Sequence, residues 1–201
     1  MIFCAEDNAR LLIEIKDSLK ANGLGSISNF CEVSPEWICP CCLRMKREIA
    51  RIDKNGNLLC ALHYHHDHFE HYARDQMPAL PHQAYELYTR FPRTLICNDC
   101  NVAEPVAKRI VGAKSNFSFA PFEIATFIIV ESNAPHKIDE QRAMEAYESA
   151  THSMRMLWGR IRAARSSMED DSENIGSFER IGSPINRIIA KIAVVKNEGV
   201  K

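Results

Sequence analysis

The chain has 201 residues, of which 46% are hydrophobic, and this suits one sizeable domain or one small domain with extensions. Its formal net charge of -1 excludes a globally basic surface, so a nucleic-acid partner must rely on local basic patches. No apolar stretch approaches the roughly 20 residues that span a bilayer, and the charged start of the chain (Glu6, Asp7, Arg10) does not resemble a signal peptide. We therefore expect a cytoplasmic protein without a membrane partner.

The first predicted element is a helix from Ala5 to Ala21. Apolar residues recur along it at helical spacing, namely Leu11, Leu12, Ile15 and Leu19. Asn22-Gly23 is a typical C-terminal stop, and small and polar residues follow. We assign residues 1–35 to this N-terminal helix and its linker.

The next predicted element is a β-hairpin. The polarity of Glu48–Ile52 alternates, Asn55-Gly56 is a strong two-residue turn signal, and Leu58–Tyr64 is typical of the returning strand. The histidine-rich run 65–68 follows directly after that strand. We assign residues 36–116 to one core that contains this hairpin.

Two further helices are predicted within that core. A proline-containing excursion, Phe69–Pro92, carries a short helix around His82–Tyr88. The second helix spans Asn101–Val111, where Pro105 is compatible only with the first turn.

Two cysteine pairs with a two-residue spacer, Cys39/Cys42 and Cys97/Cys100, lie on either side of the histidine run. Each C-x-x-C can present two thiolates to one tetrahedral ion, and two such knuckles complete a closed Cys4 site for a structural Zn2+. Cys41 lies inside the first knuckle and is an alternative to Cys42, but the spacer favours Cys42. Spaced pairs without a secretory signal favour zinc over disulfides.

Helices dominate the region 117–201. The longest, Lys137–Ala164, has one continuous apolar stripe, made up of Ala143, Tyr147, Ala150, Met154, Leu157, Ile161 and Ala164. The stripe fits either core packing, which we favour, or pairing with a second copy. Ser166–Ser177 is predicted to be a mobile acidic linker, and Ile185–Val195 a final short helix.

Two basic groups are candidate phosphate contacts. Arg44, Lys46 and Arg47 follow the first knuckle, where phosphate contact and a solvated face are equally consistent with the pattern. The second group crowds the end of the long helix and consists of Arg155, Arg160, Arg162 and Arg165. The helix dipole and the acidic residues that follow explain this second group without DNA, and we favour that explanation.

The order of these motifs resembles the HNH, or ββα-metal, nucleases, and is closest to the subgroup similar to phage recombination endonuclease VII. The likeness covers Cys39 to about Glu104. It rests on two knuckles flanking His65-His66-Asp67-His68 and on the asparagine directly after the last cysteine. It implies an α+β fold with a small ββα-metal core, a Cys4 structural zinc, a catalytic Mg2+ or Mn2+, and DNA as the substrate.

Position by position, the resemblance implies that His66 is the general base and that His65 and Asn101 hold the catalytic ion. His68 would contact or orient the scissile phosphate, and Arg93 would bind substrate. An imidazole is a suitable base because it accepts a proton at neutral pH.

The match departs from the family pattern at the first histidine. His65 stands where the similar nucleases usually carry aspartate, which should shift the preference from Mg2+ towards Mn2+ or similar ions. Asp67 is a rival ligand for the same ion, since the sequence does not show which neighbour turns inward.

The leading hypothesis is a metal-dependent DNA endonuclease that acts in restriction, phage defence, mobile-element processing or recombination. A homodimer or a partner protein would supply targeting, because the chain has little basic surface. The alternative is a non-catalytic, zinc-stabilised nucleic-acid-binding or interaction module. A toxin-like nuclease that cuts DNA or RNA broadly is the third hypothesis.

Overall fold

The computed structural model describes residues 5–78 and 87–174, and this part of the chain has a mixed α+β fold. It divides into two compact units that interleave along the sequence. Unit 1 consists of Met1–His66, Arg93–Lys114 and Ser118–Glu148, and unit 2 consists of Asp67–Pro92, Ser115–Phe117 and Ser149–Lys201. The predicted helix Ile185–Val195 and most of the predicted short helix around His82–Tyr88 lie outside the described residues.

Unit 1 begins with helix α1, Ala5–Ser18. The helix is shorter than predicted, because Lys20 adopts the left-handed conformation (φ 55°) and the amide of Ala21 donates to the carbonyl of Lys16 at 2.9 Å. This arrangement ends a helix without glycine. The predicted stop at Asn22-Gly23 therefore comes too late.

A three-stranded sheet follows, formed by β1 (Gly23–Leu24), β2 (Arg51–Ile52) and β3 (Asn57–Leu59). Strand β3 lies in the middle, parallel to β1 and antiparallel to β2. The turn between β2 and β3 contains Gly56 with φ 82°, so the predicted Asn-Gly turn is confirmed. The first strand is shorter than the predicted Glu48–Ile52, because the chain is helical up to Ile49. The core beside this sheet contains Leu12, Ile15, Phe30, Ala50, Leu58 and Cys60.

In the first basic group, Arg44 and Lys46 are buried and only Arg47 is exposed. Lys46, at the start of helix α2 (Lys46–Ile49), is fully buried, and its Nζ donates to the side-chain oxygen of Asn8 and to the carbonyls of Phe30 and Val33 at 2.6 to 2.9 Å. Burial lowers the pKa of Lys46, and these three acceptors compensate for the lost water. Lys46 ties α1 to the knuckle region and does not face a phosphate.

Replacing Lys46 with methionine should therefore destabilise unit 1 by about 2–4 kcal/mol, because buried acceptors lose their donor. Arg47→Met is the matched control. Arg47 is exposed and pairs with the exposed Glu14, an arrangement that contributes at most about 1 kcal/mol. Urea unfolding monitored by circular dichroism measures both, and equal losses in the two variants would contradict the tethering role of Lys46.

The histidine run begins within a second, two-stranded sheet. Strand β4 (Leu62–His65) pairs antiparallel with β5 (Thr94–Cys97), in a register that places Leu62 opposite Cys97 and His65 opposite Thr94. The predicted single strand Leu58–Tyr64 is thus split into β3 and β4. The amides of Cys60 and Leu62 instead donate to the carbonyls of Ser26 and Ser28, and this turns the chain from one sheet into the other.

Helix α4, Asn98–Ile110, follows β5 directly and packs on both β4 and β5. It begins three residues earlier than predicted, so Pro105 lies in its interior and not in its first turn. Proline has no N–H, and the carbonyl of Asn101 therefore lacks its usual helical donor four residues later. The expected position of Pro105 was wrong, although the helix itself is confirmed.

Unit 1 is completed by α5 (Pro121–Phe127), the short strands β6 (Ile128–Ile129) and β7 (Lys137–Ile138), and the first turns of α6 (Glu140–Asn174). Strands β6 and β7 are antiparallel. Phe119 packs edge-on against Phe127 and Tyr147, with ring centroids 4.9 and 6.4 Å away. These contacts fix the backbone before α5 in place.

Unit 2 is built from α3 (Phe69–Gln76) and the remainder of α6. Its core contains Phe69, Ala73, Met77, Tyr88, Leu157 and Ile161. The apolar stripe of the long helix is therefore core, as we favoured. The predicted linker was wrong over residues 166–174, where α6 continues as a helix, and residues 175–177 lie outside the described part. None of the described helices has the length and apolarity needed to cross a membrane.

Candidate metal centre and histidine site

The two knuckles bring four buried thiols together. In the first knuckle, the amide of Leu43 donates to the carbonyl of Cys39 at 2.9 Å, and Leu43 has a φ of 57°, so the chain turns tightly between Cys39 and Arg44. In the second, Cys97 ends β5 and Cys100 lies in the first turn of α4. The Sγ atoms of Cys39, Cys42, Cys97 and Cys100 all lie within 4.8 Å of one another.

The spacing of these sulfurs fits zinc. A Zn–S bond of about 2.3 Å places tetrahedral sulfur atoms about 3.8 Å apart. The Sγ distances are 3.8 Å between Cys39 and Cys100 and 3.7 Å between Cys42 and Cys97. Cys41 is buried but is not part of the four-thiol group, which agrees with the choice of Cys42. Four thiolates leave no open position, and the site is structural in character.

Arg44 forms hydrogen bonds to two thiols of this centre, and nothing in the sequence indicated them. It is 3% exposed, and its Nε and Nη2 approach the Sγ atoms of Cys42 and Cys97 at 3.4 and 3.6 Å. Nη2 also donates to Asp99 at 2.9 Å, and Nη1 donates to the carbonyl of Glu131 at 2.7 Å. Burial works against the charge, but the bonds to Cys42 and Asp99 outweigh it and raise the pKa of Arg44. Its positive charge offsets thiolate charge, so Arg44 is not a phosphate contact.

A second unpredicted neighbour of the cluster is His136. Its Nε2 lies 3.4 Å from the Sγ of Cys100 and 3.2 Å from Nη2 of Arg44. The residue is distant in sequence and comes from the segment between β6 and β7. Together with the carbonyl of Glu131, it attaches this segment to the four-thiol group.

His65 ends β4 and is 4% exposed. Its Nε2 lies 2.7 Å from the carbonyl oxygen of Phe119, so this nitrogen carries the proton and donates it. Its Nδ1 lies 4.0 Å from Oε2 of Glu104, and in the neutral ring Nδ1 is the nitrogen that carries the lone pair. In that neutral state, Nδ1 of His65 and the carboxylate of Glu104 are two neighbouring potential metal ligands in a buried setting, and Oε1 of Glu104 also lies 3.9 Å from Nζ of Lys108.

Asn101 and Glu104 lie one turn apart on the same face of α4. Asn101 is half-buried, and Glu104 is 6% exposed, with Oε1 accepting the amide of Phe119 at 3.2 Å. Because Glu104 reaches His65, Asn101 belongs to the helix face directed to β4. Sequence reasoning missed Glu104, although its spacing from Asn101 was a usable signal.

The other predicted residues are placed as follows. His66 is half-buried, immediately after β4. His68 stacks on His71, with ring centroids 6.0 Å apart, and its Nδ1 is 3.4 Å from the carbonyl oxygen of Ser115.

Arg93, the predicted substrate contact, lies against an aromatic ring: its guanidinium carbon is 4.4 Å from the ring centroid of Tyr64. Tyr64 alternates with His65 along β4, so it projects from the opposite face of the strand. The proposed roles of these residues stay predictions.

Asp67, the rival ligand, makes two hydrogen bonds to backbone amides. Its Oδ1 accepts from Phe69 at 3.1 Å and its Oδ2 from Arg90 at 2.8 Å. Asp67 is 2% exposed, and burial raises the pKa of its carboxyl group. The bonds hold the start of α3, which favours a structural role over metal binding.

Comparisons with protein-family models, with curated proteins and with solved structures find no match for this chain.

Proposed function

We propose that the protein is a metal-dependent HNH-type DNA endonuclease, with His65, Asn101 and Glu104 as the residues that hold a divalent ion. The observation that carries this proposal is the buried pair of Nδ1 of His65 and Oε2 of Glu104, 4.0 Å apart. A structural Cys4 centre alone does not require such a pair. The order of β4, β5 and α4, with the histidine at the strand end and the amide on the helix, agrees with the ββα arrangement that the motifs imply.

The hydrogen bond to Phe119 supports metal binding by His65. Metal-ligating histidines usually donate the other ring N–H to a carbonyl or carboxylate, which fixes the tautomer and ring orientation. Here Nε2 donates to the carbonyl of Phe119, and Nδ1 is directed to the carboxylate. The mixed imidazole, amide and carboxylate set suits Mn2+ or Mg2+.

The chain supplies the remaining chemistry around this pair. In this proposal His66 takes a proton from the attacking water, and a divalent ion held by His65, Asn101 and Glu104 would supply Lewis-acid polarisation of a phosphate oxygen. The four-thiol group holds the start of α4 and the end of β5 together, so the residues on α4 keep their position relative to β4. Positioning of this kind accounts for a large part of hydrolytic rate enhancement.

The direct test is incubation of the purified, zinc-loaded protein with supercoiled plasmid in Mg2+, Mn2+ or no added divalent ion. We expect nicking or linearisation only with a divalent ion, and faster cleavage in Mn2+. Binding of the protein to the same plasmid is measured in parallel by gel shift. DNA binding without cleavage under any condition would support the non-catalytic module, and equal cleavage of RNA would support the broad, toxin-like nuclease.

Glu104→Gln tests the metal assignment. The amide keeps an oxygen that accepts the amide of Phe119 but removes the carboxylate charge beside His65. We expect the Mn2+ concentration for half-maximal cleavage to rise by about tenfold or more. Glu123→Gln is the matched control, since Glu123 is also buried and its Oε2 accepts the amide of Ala120 at 2.7 Å, at the start of α5. Identical metal dependence in the Glu104 variant and the wild type would exclude Glu104 as a ligand.

A further inference from the structure

Unit 2 contains a cavity of about 280 Å³ between the start of the segment 89–92 and one face of α6. Helix α6 contributes residues one turn apart, including His152, Met156 and Arg160, and the facing segment contributes Thr89 and Arg90. Ser153 adds a second hydroxyl group. The lining residues of the cavity thus carry two guanidinium groups, two hydroxyls and an imidazole, all of which can donate hydrogen bonds to an anion.

Both guanidinium groups are positioned by aromatic rings. The guanidinium carbon of Arg160 lies 5.9 Å from the ring centroid of Tyr88, a buried core residue, and that of Arg90 lies 5.4 Å from the ring centroid of Phe117. A further restraint acts on Arg90, because its backbone amide donates to Asp67. Contacts of this kind reduce the side-chain entropy that an arginine loses on binding a ligand.

The charge of the lining has one sign. None of the described residues that line the cavity is acidic, and the carboxylate of Asp67 is engaged by backbone amides. Arginine binds the oxygens of phosphate through paired hydrogen bonds, and here two arginines line the cavity from different segments. Met156, which is 64% exposed, supplies an apolar wall suited to the sugar or base of a nucleotide.

We propose that this cavity binds a phosphate group, with Arg90 and Arg160 as its principal ligands. The site goes beyond the proposed nuclease function, since it lies wholly within unit 2 and needs no divalent ion. The phosphate belongs either to a nucleic-acid backbone or to a free phosphate monoester, and the two sources share this chemistry.

The experiment compares wild type with Arg90→Gln, Arg160→Gln and Arg162→Gln. Arg162→Gln is the matched control: it removes the same charge from the same helix as Arg160→Gln, but Arg162 is exposed and does not line the cavity. Binding of a fluorescent DNA duplex and of a single strand is followed by anisotropy at several salt concentrations, without added divalent ion. Binding of inorganic phosphate and of a nucleoside monophosphate is followed by NMR titration of amide resonances.

We expect Arg90→Gln and Arg160→Gln each to weaken phosphate binding about tenfold, because each loses about one charge-assisted hydrogen bond. Arg162→Gln should bind phosphate as wild type does. If the source is a DNA backbone, the slope of log Kd against log salt also falls by about one in each cavity variant. If the source is a monoester, the amides of residues 89, 90 and 153 shift with the nucleotide, while the cavity variants bind DNA as wild type does.

Equal losses in Arg162→Gln and Arg160→Gln would overturn the cavity site, because general charge would then explain the binding. Binding of phosphate and DNA that is independent of Arg90 and Arg160 would also overturn it. Neither result bears on plasmid cleavage, so the failure of this site and the failure of the nuclease proposal are distinguishable.

Discussion

Replacing His66 with alanine is expected to reduce plasmid cleavage by about 10²- to 10⁴-fold, the usual contribution of a positioned general base. His66 follows the last residue of β4 and is only half-buried, so its truncation removes no core packing. His65, Glu104 and the four thiols are left in place. The variant should therefore keep its zinc, its circular dichroism spectrum and its affinity for DNA while losing the chemical step.

His71→Ala is the matched control for this variant, because His71 is exposed on α3 and stacks on His68 without belonging to the metal pair. We expect it to cut at nearly the wild-type rate. Added imidazole should restore part of the activity of the His66 variant by taking the proton from water in place of the missing side chain. Cleavage by His66→Ala at the wild-type rate would show that another group acts as the base.

Local sequence signals predicted the parts of the structure that depend on short spacings. A two-residue spacer encodes a knuckle, and the Asn-Gly pair encodes the turn between β2 and β3, so both appear as expected. The apolar stripe of α6 is buried as its spacing indicates. In each of these, residues a few positions apart determine the geometry.

The surroundings of the metal centre were not predictable in this way. Arg44 bonds to the carbonyl of Glu131, and His136 approaches Cys100 across 36 residues, so both contacts depend on the tertiary path of the chain. The short basic sequence around Arg44 gave no sign that the guanidinium is buried. Similarly, the carbonyl partner of His65 is Phe119, 54 residues away, in a segment without a recognisable motif.

The boundaries of one helix and one strand were also predicted incorrectly. Lys20 takes a left-handed conformation and ends α1 early, and the backbone bonds of Cys60 and Leu62 to the segment 26–28 divide one apolar run into two strands. Propensity does not anticipate a left-handed lysine, and the partners of Cys60 and Leu62 become available only when distant segments meet.

Replacing Cys97 with serine is expected to be the most destabilising of the substitutions considered. Structural zinc contributes on the order of 10 kcal/mol to the folding of small zinc domains. Losing half of that would lower the thermal midpoint of a chain of this size by about 10–20 °C. Cys97 also joins β5 to α4, so the residues on α4 would lose their fixed position relative to β4. Metal analysis should show about one zinc per chain in wild type and much less in the variant.

Cys41→Ser provides the sharpest control, because Cys41 is buried next to Cys42 and yet lies outside the four-thiol group. It should retain its zinc and most of its thermal stability, so the contrast with Cys97→Ser reports metal binding and not the loss of a buried thiol. Loss of zinc from Cys41→Ser with retention in Cys42→Ser would reassign the ligand to Cys41. Since the zinc and the His65–Glu104 pair depend on different residues, Cys97→Ser should lower stability and activity together, whereas His66→Ala lowers activity alone.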